Sequence, residues 1–316
     1  MNNPYLASQS PLVSIGIPAY NSGDRIETAL NSIARQQYPN IELIISNDAS
    51  TDHTDEVCRK WAEKDSRIKY FYQEKNLGLA ANFEFVLHQA TGKYFMWMAD
   101  DDHLVPDIIS YYVNFLENHP AYCLASGKIN YWQNGRLRYQ EGSLSFEEDR
   151  GLIRTIKYYR KVKEGALLYG MMRREMGQKV RFLPILGSDW HFVAGLAFQG
   201  KIKNFDFVGY NKYAGGVSRN FKNYARVFGE KPVWGIFPFI KMAIDAFRLV
   251  IYGEKIYSTI SLPVRIMAGI FSSLGILFHY YILIKPRIIG GRLLRFMKIK
   301  TPREWRMEKL QQAEQE

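Results

Sequence analysis

The sequence predicts an α/β protein: a mostly parallel sheet with helices on both faces, followed by a helical C-terminal segment that associates with a membrane. Three observations carry this. Short apolar runs of strand length alternate with amphipathic stretches over the first hundred residues. Carboxylate and amide side chains collect where those apolar runs end. The last quarter combines long apolar runs with a surplus of positive charge.

Val13–Pro18 is an unbroken apolar run entering Pro18-Ala19-Tyr20-Asn21, as a buried parallel strand entering a loop would be. Asp24 can cap a helix reaching about Gln37, with Ile26, Leu30 and Ile33 on one face. Ile41–Ser46 is a second strand ending at Asn47-Asp48, and Thr54 opens a helix with Asp55 and Glu56 in its first turn, where the helix dipole favours them. Ile68–Tyr72 is a third strand. A helix over Leu79–Gln89 stops before Gly92, and Tyr94–Met98 is a fourth strand running into Asp100-Asp101-Asp102. Past Pro106 the pattern is mixed. Tyr122–Trp132 leads into Asn134-Gly135, a hairpin signal, Gly142 to Lys163 is a charged loop plus a helix, Asp189 starts a helix ending at Gly200, and Ile202–Val208 is a strand.

The composition, 47% hydrophobic and 23% charged, is that of a globular chain. Cys58 and Cys123 show no metal-ligand spacing and read as buried free thiols of a reducing compartment. Residues 1–11 lack the basic-then-apolar layout of a signal peptide, which predicts a cytosolic location for the α/β part of the chain. The formal charge is +11, and from Lys231 onward 14 Lys/Arg face 6 Asp/Glu. These cations interleave with aliphatic runs, which favours anionic lipid over nucleic acid as their partner.

In open parallel sheets, ligands bind beyond the carboxyl ends of the strands. Tyr20 and Asn21, Asp48, and Asp100–Asp102 all fall there. Three adjacent carboxylates repel one another unless a cation or hydrogen-bond donors compensate, and a Mg²⁺ or Mn²⁺ shared with a diphosphate would do so. A helix N-cap at Asp102 explains the same residues. No Gly-x-Gly-x-x-Gly follows the first strand and no Gly-Lys-Ser/Thr loop exists, which argues against a dinucleotide dehydrogenase or a P-loop enzyme.

The run Val13-Ser14-Ile15-Gly16-Ile17-Pro18-Ala19-Tyr20-Asn21 resembles the opening strand of glycosyltransferase family 2, which has the Rossmann-like GT-A fold. Asn47-Asp48-Ala49-Ser50-Thr51-Asp52 is similar to that family's Asp-Asp-Gly-Ser-Thr-Asp loop. Asn76-Leu77-Gly78, Asn82 and Ala90-Thr91-Gly92-Lys93-Tyr94 keep the family's order ahead of the acidic run. The resemblance is dense over residues 12 to 110 and weaker to about 219. It implies a catalytic domain over residues 1–225, with a nucleotide half at 12–105 and an acceptor half at 106–225.

The resemblance also assigns roles. Asp48 would accept a hydrogen bond from the base, with uridine the implied nucleoside, and Pro18, Tyr20, Asn21, Asn76 and Gly78 would border the same pocket with Asp100 and Asp101. Asp100 and Asp102 would hold the Mg²⁺ or Mn²⁺. Asp189, in Gly187-Ser188-Asp189-Trp190, matches the catalytic base of inverting members, where a plain N-cap is the other reading. Two departures stand out. Ala99 lies where the family begins its metal motif, and Tyr210-Asn211-Lys212-Tyr213 lacks a histidine common there, leaving Lys212 or Arg219 as the cation for the diphosphate.

Residues 226–316 form the basic, apolar C-terminal region. Val233–Tyr252 reads as an amphipathic helix whose Lys241, Asp245 and Arg248 share one face. Ile266–Ile284 is 19 residues without Asp, Glu, Lys or Arg, just long enough to cross a bilayer, although both flanks are basic. Lying in the interface or packing as a buried helical subdomain are the alternatives. The expected partners are a nucleotide-sugar donor, a glycan or polyprenyl-linked acceptor, and the cytoplasmic face of the inner membrane. A binding protein without turnover and a sugar nucleotidyltransferase are competing readings. The second would need a Gly-rich loop with Arg or Lys after the first strand, which Pro18-Ala19-Tyr20-Asn21 does not supply.

Overall fold

The computed structural model describes residues 10–163, 165–213, 220–253 and 255–284. Four strands, β1 (Val13–Ala19), β2 (Ile41–Asn47), β3 (Ile68–Tyr72) and β4 (Tyr94–Trp97), lie parallel in the order β3-β2-β1-β4. Every residue of β2 is buried, and only Pro18 of β1 is not, which is what an apolar run covered on both faces requires. Helices α1 (Ile26–Ala34), α2 (Thr54–Lys64) and α3 (Leu79–Gln89) make the crossovers. Leu30 and Ile33 of α1 and Cys58 of α2 join the core on one face of the sheet, while Val86 and Leu87 of α3 join the core on the other.

The first helix differs from expectation at both ends. It begins at Ile26 without a side-chain cap and ends at Ala34. The carbonyl of Ser22 accepts the amides of Arg25 and Ile26, and Asp24 turns outward to His53, 3.2 Å away.

The second half makes the sheet mixed. β5 (His103–Leu104) and α4 (Ile108–Asn118) precede the long β6 (Tyr122–Gln133), which turns through Asn134-Gly135 into β7 (Arg136–Glu141). Both turn residues have positive φ, 51° and 70°, the geometry that the Asn-Gly pair predicts. After α5 (Gly151–Lys161) come β8 (Met171–Arg173), α6 (Arg174–Gly177), α7 (Ser188–Gln199) and β9 (Lys201–Tyr213). β8 joins β4 to β6 with antiparallel pairing, and β9 runs parallel to β6 and antiparallel to β5. Trp97 ties the halves together: Phe95, Phe182 and Phe192 meet its ring edge-on, and its indole N–H donates to the Phe83 carbonyl at 3.0 Å.

The C-terminal helices α8 (Phe221–Val227), α9 (Pro232–Ile236), α10 (Pro238–Arg248) and α11 (Leu262–Leu277, continuing as a wider turn over 278–284) pack on α5 and α7. Pro238 breaks the single helix expected over Val233–Tyr252 into α9 and α10. Its expected polar face is turned inward: Lys241 is buried, with Nζ 2.6 Å from both Glu230 and Asp245, while Arg248 stays exposed. A cation with two carboxylate partners can be buried where a lone one cannot. The basic tail from Lys285 onward lies outside the described residues.

Candidate active site

The loops after β1, β2, β3 and β4 supply the polar residues of one crevice. Tyr20 leaves half its ring exposed, and Asn21, with φ at 51°, turns back so that its carboxamide accepts the Thr51 amide at 2.9 Å. Asp48 is buried. One carboxylate oxygen accepts the Leu77 amide at 2.6 Å and the other the Gly78 amide at 3.1 Å, while Asn76 donates to the Asp48 carbonyl. Asp48 therefore shapes the Asn76–Gly78 loop, whose Gly78 needs a φ of 86°. Pro18, partly covered, pairs with Ser46 at the crevice end of β1.

The three aspartates have separate surroundings. Asp100 receives a short hydrogen bond from Ser22 and one from the Tyr20 backbone, yet burial, helped by Asp102, still raises its carboxyl. Asp101 is pushed up to about 7 by burial and by the charges of Asp102 and Asp100. Asp102 is fully buried, with one oxygen 3.1 Å from Lys212 Nζ and the other accepting the Tyr213 amide at 2.7 Å. The Tyr210 hydroxyl accepts the Ala99 amide at 3.0 Å, so the end of β9 clamps the acidic loop from both sides.

This arrangement redistributes the expected metal ligands. Both oxygens of Asp102 are committed to β9, whereas Asp100 and Asp101 remain partly exposed at the crevice. Among the described residues no group of three or more His, Cys, Asp or Glu is arranged to hold a metal. Asp100 and Asp101 fit a hard divalent ion that takes its other ligands from a diphosphate and water, and such an ion would relieve the repulsion on Asp101.

Lys212 was expected to face the diphosphate and instead pairs with Asp102. Its ammonium also sits 4.0 Å from the centre of the Tyr169 ring. Burial presses its pKa down, but Tyr169 and Asp102 outweigh burial and raise it. Arg219, the other expected cation, lies outside the described residues.

Asp189 lies in the first turn of α7 and is partly open to solvent. Burial pushes its carboxyl up to about 6, against the backbone N–H groups of Trp190 and Asp189 and the charge of Lys212. The charge of Lys212 favours the ionised forms of Asp101 and Asp189 as well as that of its direct partner Asp102. Gly187, at a φ of 73°, makes the turn into that helix. Met242 of α10 packs on Gly187, Tyr224 of α8 bonds to Ser188 and Gly187, and Phe239 lies against Trp190. Gly165 faces the Asp189 carboxylate so closely that a methyl group there would overlap it. Sequence reasoning missed Ser22, Gly165, Tyr169 and Tyr224, and it gave Tyr210, inside a quoted run, no role. Of those missed, only Ser22 stands beside a recognised motif.

With this geometry in hand, the sequence profile of "Glycosyl transferase family 2" matches residues 14–180, more than half of the chain. The chain belongs to glycosyltransferase family 2. An uncharacterized glycosyltransferase of Rickettsia typhi is 38% identical over 107 residues, 34% of this chain and 32% of that protein. TuaG of Bacillus subtilis, a glycosyltransferase assigned to teichuronic acid biosynthesis, is 33% identical over 111 residues, 35% of this chain and 44% of its own. Each match thus spans less than half of the relative. Among solved structures, residues 1–349 of Staphylococcus aureus TarS in complex with UDP-GlcNAc superpose with a TM-score of 0.59 at 17% identity, covering 90% of this chain and 81% of that one. The mannosyltransferase PcManGT of Pyrobaculum calidifontis, in complex with GDP-Man and Mn²⁺, gives 0.53 at 17% identity, covering 91% and 81%. At such identities the likeness is one of fold, and it is the GT-A fold that the motifs implied.

Proposed function

We propose that this chain transfers a sugar from a nucleoside diphosphate sugar, with UDP the favoured carrier, to a glycan acceptor borne on a polyprenyl-type lipid at the cytoplasmic face of the inner membrane, inverting the anomeric centre. The observation that carries the reading is Asp189, a partly exposed carboxylate in the first turn of α7 that faces Gly165, where no methyl group could fit, in a chain of glycosyltransferase family 2. Asp189 takes the proton of the acceptor hydroxyl as that oxygen attacks the anomeric carbon. The bond from that carbon to the diphosphate breaks, and the diphosphate leaves with the electron pair. A Mg²⁺ or Mn²⁺ held by Asp100 and Asp101 would supply positive charge to the leaving group. Asp48, Tyr20, Asn21 and the Asn76–Gly78 loop border the base and ribose. The nucleotide complex of TarS, the Mn²⁺ complex of PcManGT and the assignment of TuaG to a cell-wall polymer support the donor class, the ion and the polysaccharide setting, respectively.

Thermal unfolding of the purified chain with UDP, GDP, dTDP or CMP, with and without Mn²⁺, tests the donor site. A ligand binding only the folded state at a hundred times its Kd stabilises by about 2.7 kcal/mol. The expected result is a shift selective for one nucleotide, dependent on Mn²⁺, and abolished in Asp101→Asn. No shift with any nucleotide would sink the donor-binding reading.

A further inference from the structure

The helices α10 and α11 form an antiparallel hairpin against the catalytic domain. The inward side of α11 is lined with small residues: Gly269 meets Phe247, Gly275 meets the backbone of Arg160 in α5, and the Ser273 hydroxyl donates to the Ala243 carbonyl at 2.7 Å. Its outward side is different. Val264, Met267, Phe271, Leu274 and Phe278 recur at helical spacing, and each is 45–54% exposed. Every one of them is apolar, and Ile270 widens the stripe. Scattered exposed hydrophobics need no explanation, but a continuous stripe four turns long does.

By length and composition Leu262–Tyr281 could cross a bilayer. The packing argues otherwise, because a spanning α11 would take α5 into the hydrocarbon, where Arg160 and Lys161 are exposed next to Gly275. We infer that α11 lies parallel to a bilayer surface, with Val264, Met267, Phe271, Leu274 and Phe278 inserted at the boundary between headgroups and acyl chains of anionic lipid. Charge selects this occupant over a second copy of the chain. Arg160 and Lys161 are exposed at the end of α5, which packs on α11, and the sequence from Lys285 to the end carries 9 Lys/Arg against 4 Asp/Glu. A self-complementary contact would bring these like charges together, whereas anionic headgroups neutralise them. The inference deepens the membrane placement proposed above and does not depend on the transfer reaction.

The test is sedimentation of the full chain with vesicles of equal parts phosphatidylcholine and phosphatidylglycerol, in low salt and in high salt, which screens the basic residues. The wild type is expected to stay bound in high salt. Phe271→Glu/Leu274→Glu should partition at least tenfold more weakly, with an unchanged thermal transition because both side chains are already half exposed. Phe271→Ser/Leu274→Ser serves as a second variant that adds no charge, and it should weaken binding in the same direction. Equal retention of wild type and both variants in high salt overturns the inference. So does a wild type that ignores vesicles, whether it stays monomeric or forms a dimer which the variants split. Nucleotide binding is read in a separate assay, so failure of the transferase reading and failure of this one are distinguishable.

Discussion

Lys212 reaches Asp102 across 110 residues of sequence, its Nζ 3.1 Å from a carboxylate that is fully buried. A buried charge deprived of its partner typically costs 3–5 kcal/mol. We therefore expect Lys212→Met to lose about that much stability in urea unfolding. The double variant Lys212→Met/Asp102→Asn should regain most of it, since no charge is then stranded. Equal losses in the single and double variants would show that the pair is not coupled.

Gly165 leaves the space that the Asp189 carboxylate occupies. Gly165→Ala should displace that carboxylate, and a misplacement of about 1 Å can cost on the order of 10²-fold in rate. Nucleotide-induced stabilisation should survive. Steady-state transfer assays beside thermal shifts separate the two effects, and wild-type turnover in Gly165→Ala would release Asp189 from the proposed role.

Asp189 gives a pH signature of known sign. Its folded-state pKa, about 6, is raised, so the protonated form is favoured on folding. That contribution to stability is fully present below the unfolded value of about 3.9, falls as pH rises through about 6, and is flat beyond. Asp189→Asn should therefore be more stable than wild type at pH 8, by at most about 3 kcal/mol, with the gap closing toward pH 4. Wild-type transfer should rise with pH through about 6 as the base ionises. Asp189→Asn should lose roughly 10²–10⁴-fold.

Gly187 combines a left-handed φ of 73° with direct contact to Met242. Gly187→Ala should cost about 1–2 kcal/mol in backbone strain plus the clash. Adding Met242→Ala should relieve only the clash, so the two substitutions should be less than additive in thermal unfolding. Strict additivity would mean that α10 does not support the turn into α7.

The four parallel strands, their crossovers, the Asn134-Gly135 hairpin and the positions of Asp48, Asp100–Asp102 and Asp189 were legible because each rests on a local period or a short motif. The partners of those side chains were not. Nothing near Asp102 announces Lys212, nothing near Asp189 announces Gly165, and the antiparallel β8 is too short to show a period. The reversal of Lys241 and Asp245 has the same cause. Their helical spacing reads as a solvated face until Glu230, from another segment, makes burial tolerable.

The clamp of β9 on the acidic loop bears on how the chain matures. Asp102 lies near the first third of the chain, yet the groups that satisfy it, Lys212 Nζ and the Tyr213 amide, are synthesised more than a hundred residues later. Emerging alone from the ribosome, the segment through β4 and the acidic loop would carry a carboxylate with neither partner. Contacts this distant in sequence form late, after the intervening chain has closed. On the proposed reading, a nascent chain shorter than residue 213 lacks the groups that complete the acidic loop, and donor binding should appear only in longer chains.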